Sequence, residues 1–142
     1  IGLNLGGGGN YVLLYFLTRK FRPSVVVETG VAAGWTSLAV LEALEKNGEG
    51  ELYSSDFPYF RLENPERYIG IIVEPSTLKM RWNLDIRGDE FALPNTISLL
   101  GNKKINLFKK INLFIRPATS KLISKLENIV RDLNILLNNT SI

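Results

Sequence analysis

The residues best suited to hold a ligand lie in Val25–Leu38, VVVETGVAAGWTSL, where an acid and two glycines follow a run of valines as E-x-G-x-x-x-G: Glu28, Gly30 and Gly34. A strand turning into a helix at the carboxyl edge of a parallel sheet is where α/β proteins bind nucleotides. Glycines there admit close approach of ligand and backbone, and the helix start offers free N–H groups and a positive dipole end. Two better-known turns are excluded. The dinucleotide fingerprint G-x-G-x-x-G fails because Ala32 stands at its second glycine, and no Gly-Lys-Ser/Thr follows to make a Walker loop. The chain has no cysteine and no histidine. Thiolate zinc sites, cysteine nucleophiles, imidazole bases and Ser-His-Asp triads are therefore excluded within it. Its chemistry has to come from carboxylates, lysine, tyrosine, hydroxyls, the backbone or a bound cofactor.

The elements that must position this turn are legible on both sides. Four successive glycines, Gly6 to Gly9, make a flexible entry. Asn10 can cap a helix over Tyr11–Lys20. Val25–Val27 reads as a strand buried on both faces, and Thr29–Gly34 as a loop. Trp35–Lys46 has helical spacing at Leu38, Leu41 and Leu44, stopped by Asn47 and Gly48. Glu51–Ser55 is a second strand ending at Asp56. An irregular aromatic segment follows to Glu74, with a short extended piece expected at Ile69–Val73 and a short helix through Met80. Arg81–Ile86 alternates and reads as a third strand. Glu90–Leu100 is expected to be helical despite Pro94, and Ile105–Phe108 to be a fourth strand. Such alternation predicts an α/β domain with a parallel sheet, the Val25–Glu28 strand central and helices on both faces. Trp35 and Trp82 are expected in its core.

At 142 residues the chain has about one domain's length, with 45% apolar and 22% charged residues. No apolar run approaches the ~20 residues of a membrane span, and no basic region precedes Tyr11–Leu17, so neither a membrane anchor nor a signal peptide is expected. The missing cysteines fit a cytoplasmic setting. The chain opens on Ile rather than Met, so residues before Ile1 are expected. Charge is unevenly spread: residues 1–102 hold 9 Lys/Arg and 12 Asp/Glu, whereas residues 103–142 hold 8 and 2. A uniformly basic surface for nucleic acid is thus not expected. The shift coincides with a tandem duplication, KKINLF at Lys103–Phe108 and again at Lys109–Phe114. Beyond it, Leu122, Leu126, Ile129, Leu133 and Leu136 mark an amphipathic helix over Ser120–Leu137. That helix either packs on the domain or pairs two chains as a homodimer.

The turn resembles the first motif of the class I S-adenosylmethionine-dependent methyltransferases, a strand ending in an acid followed by x-G-x-x-x-G. Ala32 is a departure that many small-molecule O-methyltransferases of that group share. GELYSSDFPY (Gly50–Tyr59) is similar to the family's second strand, and RWNLDIRGDEFALPNTISLLGNKKINLF (Arg81–Phe108) to the strand, Gly-Asp turn, helix and fourth strand of the branch related to cephalosporin hydroxylase and sugar O-methyltransferases. The resemblance covers about Gly9 to Phe108. It implies a Rossmann-like sheet and S-adenosylmethionine as cofactor. It also implies residue roles. Gly30, Ala32 and Gly34 would lie against the methionine part, and Glu28 would attract its ammonium directly or through water. Asp56 would accept the ribose hydroxyls, with Phe57 on the adenine face and Asp89 beside the adenine. Each has a structural alternative: tight helix packing for the glycines, a helix cap for Glu28, an ordinary turn for Asp56 and Asp89, and local core for Phe57.

The acceptor side departs from the family. Where related fourth strands read I-D-L-F and run into an acidic, histidine-containing loop that holds a divalent metal, this chain has Asn106 and then the duplicated KKINLF. No catalytic base or metal ligand set can be assigned. The family-like domain is expected to occupy residues 1–108, with 109–142 a basic tail, and the chain to be incomplete on its C-terminal side. The expected function is O-methylation of a small molecule or sugar, without nucleic acid or membrane partners. The alternatives are a truncated cofactor-binding remnant without activity, and a nucleotide-binding or interaction module.

Overall fold

The computed structural model describes residues 10–58, 62–73, 76–103, 105 and 107–110. The duplicated half of the repeat beyond these, the Ser120–Leu137 helix and its docking or dimer role, Asn106 and Tyr59 lie outside the described residues. The elements run α1 (Tyr11–Phe21), β1 (Val25–Thr29), α2 (Trp35–Asn47), β2 (Glu51–Ser55), a 3-10 turn at Pro65–Tyr68, α3 (Ser76–Lys79), β3 (Trp82–Asp85), α4 (Asp89–Leu100) and β4 (Leu107–Lys110). All pairings are parallel and the strand order is β3-β2-β1-β4, which puts β1 inside the sheet. This is the α/β architecture expected from the alternation.

Capping explains where the helices begin and end. The Asn10 side chain accepts from Leu13 N at 3.0 Å, satisfying one of the free donors at the start of α1. Gly48 closes α2 in the left-handed conformation with φ 75°. Asn47 Nδ2 donates to Thr18 O at 2.9 Å, and Arg22 donates to Asn47 O at 2.8 Å, so the ends of α1 and α2 are tied together.

All five residues of β1 are buried, as a central strand covered on both faces requires. Its side chains alternate between two cores. Val25 and Val27 meet Leu93, Leu100 and Ile105, with Tyr53, on the α4 side. Val26 meets Val40, Leu41, Leu44, Leu52, Val73 and Leu78 on the α2 side, joined by Leu14, Leu38 and Trp82. Fully burying each such side chain contributes about 1.5–3 kcal/mol. The same alternation decides where the polar ends of the strands point. Glu28, in step with Val26, and Ser54, in step with Leu52, face α2. Ser55, in step with Tyr53, faces α4.

Three expectations need correction. Ile69–Val73 is a turn, because Gly70 is left-handed at φ 66° and leaves no extended path. Strand β4 lies two residues later than Ile105–Phe108 and takes in Lys109 and Lys110, paired in register with Glu28 and Thr29. Trp35 is 46% exposed: as the first residue of α2 it lies at the domain surface, its ring 6.0 Å from that of Tyr11. Trp82 does pack against the core. Helix α4 continues through Pro94, which stands at an exposed position. No helix among the described residues is long and apolar enough to cross a membrane.

Candidate functional site

The carboxyl ends of β1, β2 and β3 form one edge, and the turn of residues 30–34 rises from it into α2. Three of its five residues are left-handed: Gly30 at φ 76°, Ala32 at φ 52° and Gly34 at φ 100°. Gly30 N donates to Ser55 O at 2.8 Å, fastening the turn to β2. Ala32 pays roughly 1–2 kcal/mol for a conformation that glycine adopts freely, and the surroundings hold it there. Ala32 N donates to Asp56 Oδ2 at 2.7 Å, and Ala32 O accepts from Gly70 N at 2.8 Å. Gly34 is required by a second constraint, since a Cβ there would stand 2.9 Å from Gly70 Cα.

Val31 N also donates to Asp56 Oδ2, at 2.8 Å. Two successive N–H groups converging on one point make a concave anion-binding nest. In this protein the chain's own carboxylate fills it. A phosphate at the same place would lose those donors and face the Asp56 charge, so the turn disfavours anions. Asp56 Oδ1 accepts from Phe57 N at 2.7 Å. A carboxylate has about four acceptor positions. Three are used by described donors, which leaves one on Oδ1 at a half-buried carboxylate beside the Phe57 side chain. Phe57 is 54% exposed.

Glu28 lies beneath the turn, not in it. It is 1% exposed, and its oxygens accept from Thr36 Oγ1 and Ser37 Oγ at 2.6 Å each and from Ser54 Oγ at 2.9 Å. Thr36 and Ser37 stand in the first turn of α2, so Glu28 clamps the end of β1 to the start of that helix and to β2. On the opposite face, Ser55 Oγ donates to Asp89 Oδ1 at the start of α4. Burial pushes the Asp89 carboxyl above its ordinary value; the Ser55 hydrogen bond opposes this, and the nearby Asp56 charge adds to it. Asp85, at the end of β3, is held below the usual carboxylate range chiefly by its hydrogen bond from Arg87.

Of the residues singled out in the sequence, Gly30, Ala32, Gly34 and Asp56 thus meet in one hydrogen-bonded turn, and Phe57 adjoins it. Asp89 stands close enough to sense Asp56, while Glu28 acts from below. Sequence reasoning passed over Thr36, Ser37, Ser54, Ser55 and Gly70, and assigned Trp82 to the core alone. A signal for the hydroxyls was present: Thr36 and Ser37 open a helix after an acid-ended strand, and Ser54-Ser55 ends a buried strand, where unpaired hydroxyls are costly. Gly70 carried no such signal, because its neighbours are distant in sequence. Among the described residues no group of three or more acids could hold a metal ion.

No family model and no curated protein matches the chain. Solved structures do. The O-methyltransferase TomG from Streptomyces achromogenes, involved in tomaymycin synthesis and solved with SAM, matches with a TM-score of 0.58 at 13% identity, covering 91% of this chain and 52% of TomG. A cmcI structure with SAH matches with a TM-score of 0.50 at 16% identity, covering 85% of this chain and 53% of that one. The SAH-bound Podospora anserina methyltransferase PaMTH1 has a TM-score of 0.49 at 17% identity, over 72% of this chain and 40% of its own. The chain therefore spans about half the length of these structures or less. The first two share its fold, the Rossmann-like fold of class I methyltransferases.

Proposed function

We propose that this chain is the S-adenosylmethionine-binding part of a methyltransferase whose acceptor is an oxygen of a small molecule. The observation that carries the proposal is the Asp56 carboxylate seated on the Val31 and Ala32 amides at 2.8 and 2.7 Å. It removes the anion-binding character of the turn and leaves an acidic edge. Such an edge suits a ligand with a ribose diol and positive charge, and opposes one bearing phosphates. S-adenosylmethionine supplies a methyl group on a positively charged sulfur. The remaining acceptor position on Asp56 Oδ1 would take a ribose hydroxyl, and the exposed Phe57 ring offers a face for adenine stacking. Gly30 keeps the turn open to the methionine part, and Asp89 would approach the adenine. Glu28 contributes by holding the first turn of α2, through Thr36 and Ser37. The O-methyltransferase likeness of the fold supports an oxygen acceptor, and the cysteine-free sequence supports a cytoplasmic setting.

Calorimetric titration with S-adenosylmethionine tests the binding, and release of S-adenosylhomocysteine over a panel of catechols, phenols and sugars tests the transfer. Saturable binding is expected. Absence of binding to the folded chain would overturn the proposal.

A further inference from the structure

We infer that Trp82 is a positioning residue for the ligand-binding turn, acting through Gly70; the inference rests on the cofactor reading above for its functional consequence, though not for its geometry. Trp82 opens β3 opposite Leu52 and shares the α2-side face with Ser54. Its Nε1 donates to Ser54 Oγ at 2.9 Å, and Ser54 Oγ donates to Glu28 Oε2 at 2.9 Å. The indole is thereby oriented from the same buried carboxylate that clamps α2. Its far edge lies against Gly70. A Cβ on Gly70 would stand 2.2 Å from Trp82 Cη2, and 3.1 and 3.2 Å from the two neighbouring ring carbons.

The other side of Gly70 meets the turn. Gly70 N donates to Ala32 O at 2.8 Å, and Ile72 N donates to Ala33 O at 3.1 Å. The Cβ that Gly34 lacks would stand 2.9 Å from Gly70 Cα. The Ile69–Val73 segment is therefore sandwiched between the indole and the turn, with Ile69 and Val73 buried as its anchors. The turn is gripped from two sides: Asp56 takes its amides, and this segment supplies donors to its carbonyls. Ala32 adopts an unfavourable left-handed conformation, which persists only where the surroundings over-determine it. The width of the indole sets how far the Ile69–Val73 segment stands off the sheet, and so where the carbonyl side of the turn is held.

The test uses the full chain with Trp82→Phe, Gly70→Ala and the double variant, and Leu44→Val as a control in the same core but away from the turn. Amide hydrogen exchange reads the grip directly, and calorimetry with S-adenosylmethionine reads its consequence. Trp82→Phe is expected to speed exchange at Gly70 and Ile72 by about tenfold relative to mid-strand amides and to weaken binding by about fivefold, the scale of losing one or two hydrogen bonds. Gly70→Ala should do both more strongly. The double variant should recover part of each loss, since the shorter ring leaves room for the new methyl. Leu44→Val should lower stability without moving either reading. Equal acceleration at all core amides in every variant, or a double variant no better than Gly70→Ala, would overturn the inference. Should Trp82→Phe not fold, Gly70→Ala against the control decides. Failure of the unsubstituted chain to bind S-adenosylmethionine would remove the cofactor proposal, while the exchange pattern would still decide the role of Trp82.

Discussion

The Asp56 carboxylate lies 2.7 Å from the amide nitrogen of Ala32, joining the end of β2 to the left-handed alanine of the turn after β1. One side chain thus closes the nest and sets the charge of the edge. Replacing it changes both. Asp56→Ala should weaken S-adenosylmethionine binding by about 1.5–3 kcal/mol, the scale of hydrogen bonds to a charged group. It should also lower stability by about 1–3 kcal/mol, since two turn amides lose their acceptor. Calorimetry and urea unfolding measure the two.

Ala32→Gly should be tolerated. It removes left-handed strain of roughly 1–2 kcal/mol and adds about 0.5–1 kcal/mol of backbone entropy cost. The net expectation is a gain of about 0–1.5 kcal/mol in urea unfolding with cofactor binding kept. A clear loss of stability would show that the alanine methyl makes a contact worth more than the strain.

Glu28 supplies acceptors for three buried hydroxyls, from Thr36, Ser37 and Ser54. Glu28→Gln replaces one acceptor oxygen by a donor and should cost about 1–3 kcal/mol of stability, read by urea unfolding. No change would mean that the hydroxyls re-pair without cost.

Asp89 gives a pH signature. Its carboxyl is raised in the folded chain, mainly by burial, so the folded state binds this proton more tightly than the unfolded one. The associated stability is fully present below the ordinary aspartate value and is lost as pH rises through the raised value. Asp89→Asn keeps an acceptor for Ser55 and cannot ionise. It should exceed the unsubstituted chain in stability at neutral pH, with the difference shrinking on acidification. Thermal unfolding across pH 3–8 reads it; a pH-independent difference would assign the effect to packing instead.

The sheet was legible because its signals are local: β-branched residues in Val25–Val27, alternation in Arg81–Ile86, and Asn10 and Gly48 at helix ends. Glu28, Gly30, Gly34 and Asp56 were legible as a motif. What the motif could not reveal was the direction each side chain takes. Strand parity turns Glu28 towards α2 and into a hydroxyl cluster, a consequence of register and not of residue type. The turn at Ile69–Val73 was missed because a run of Ile and Val mimics a strand, while the indole that stops it is brought in by β3. Strand β4 was misplaced by two residues where KKINLF repeats and one hydrophobic pattern fits more than one register.

The central claim is that Asp56 converts an anion-binding turn into a site for S-adenosylmethionine. The most direct measurement is a paired calorimetric titration of the full chain with S-adenosylmethionine and with ATP at matched ionic strength. The expected result is saturable, one-to-one binding of S-adenosylmethionine and none of ATP. Binding of ATP with none of S-adenosylmethionine would contradict the claim.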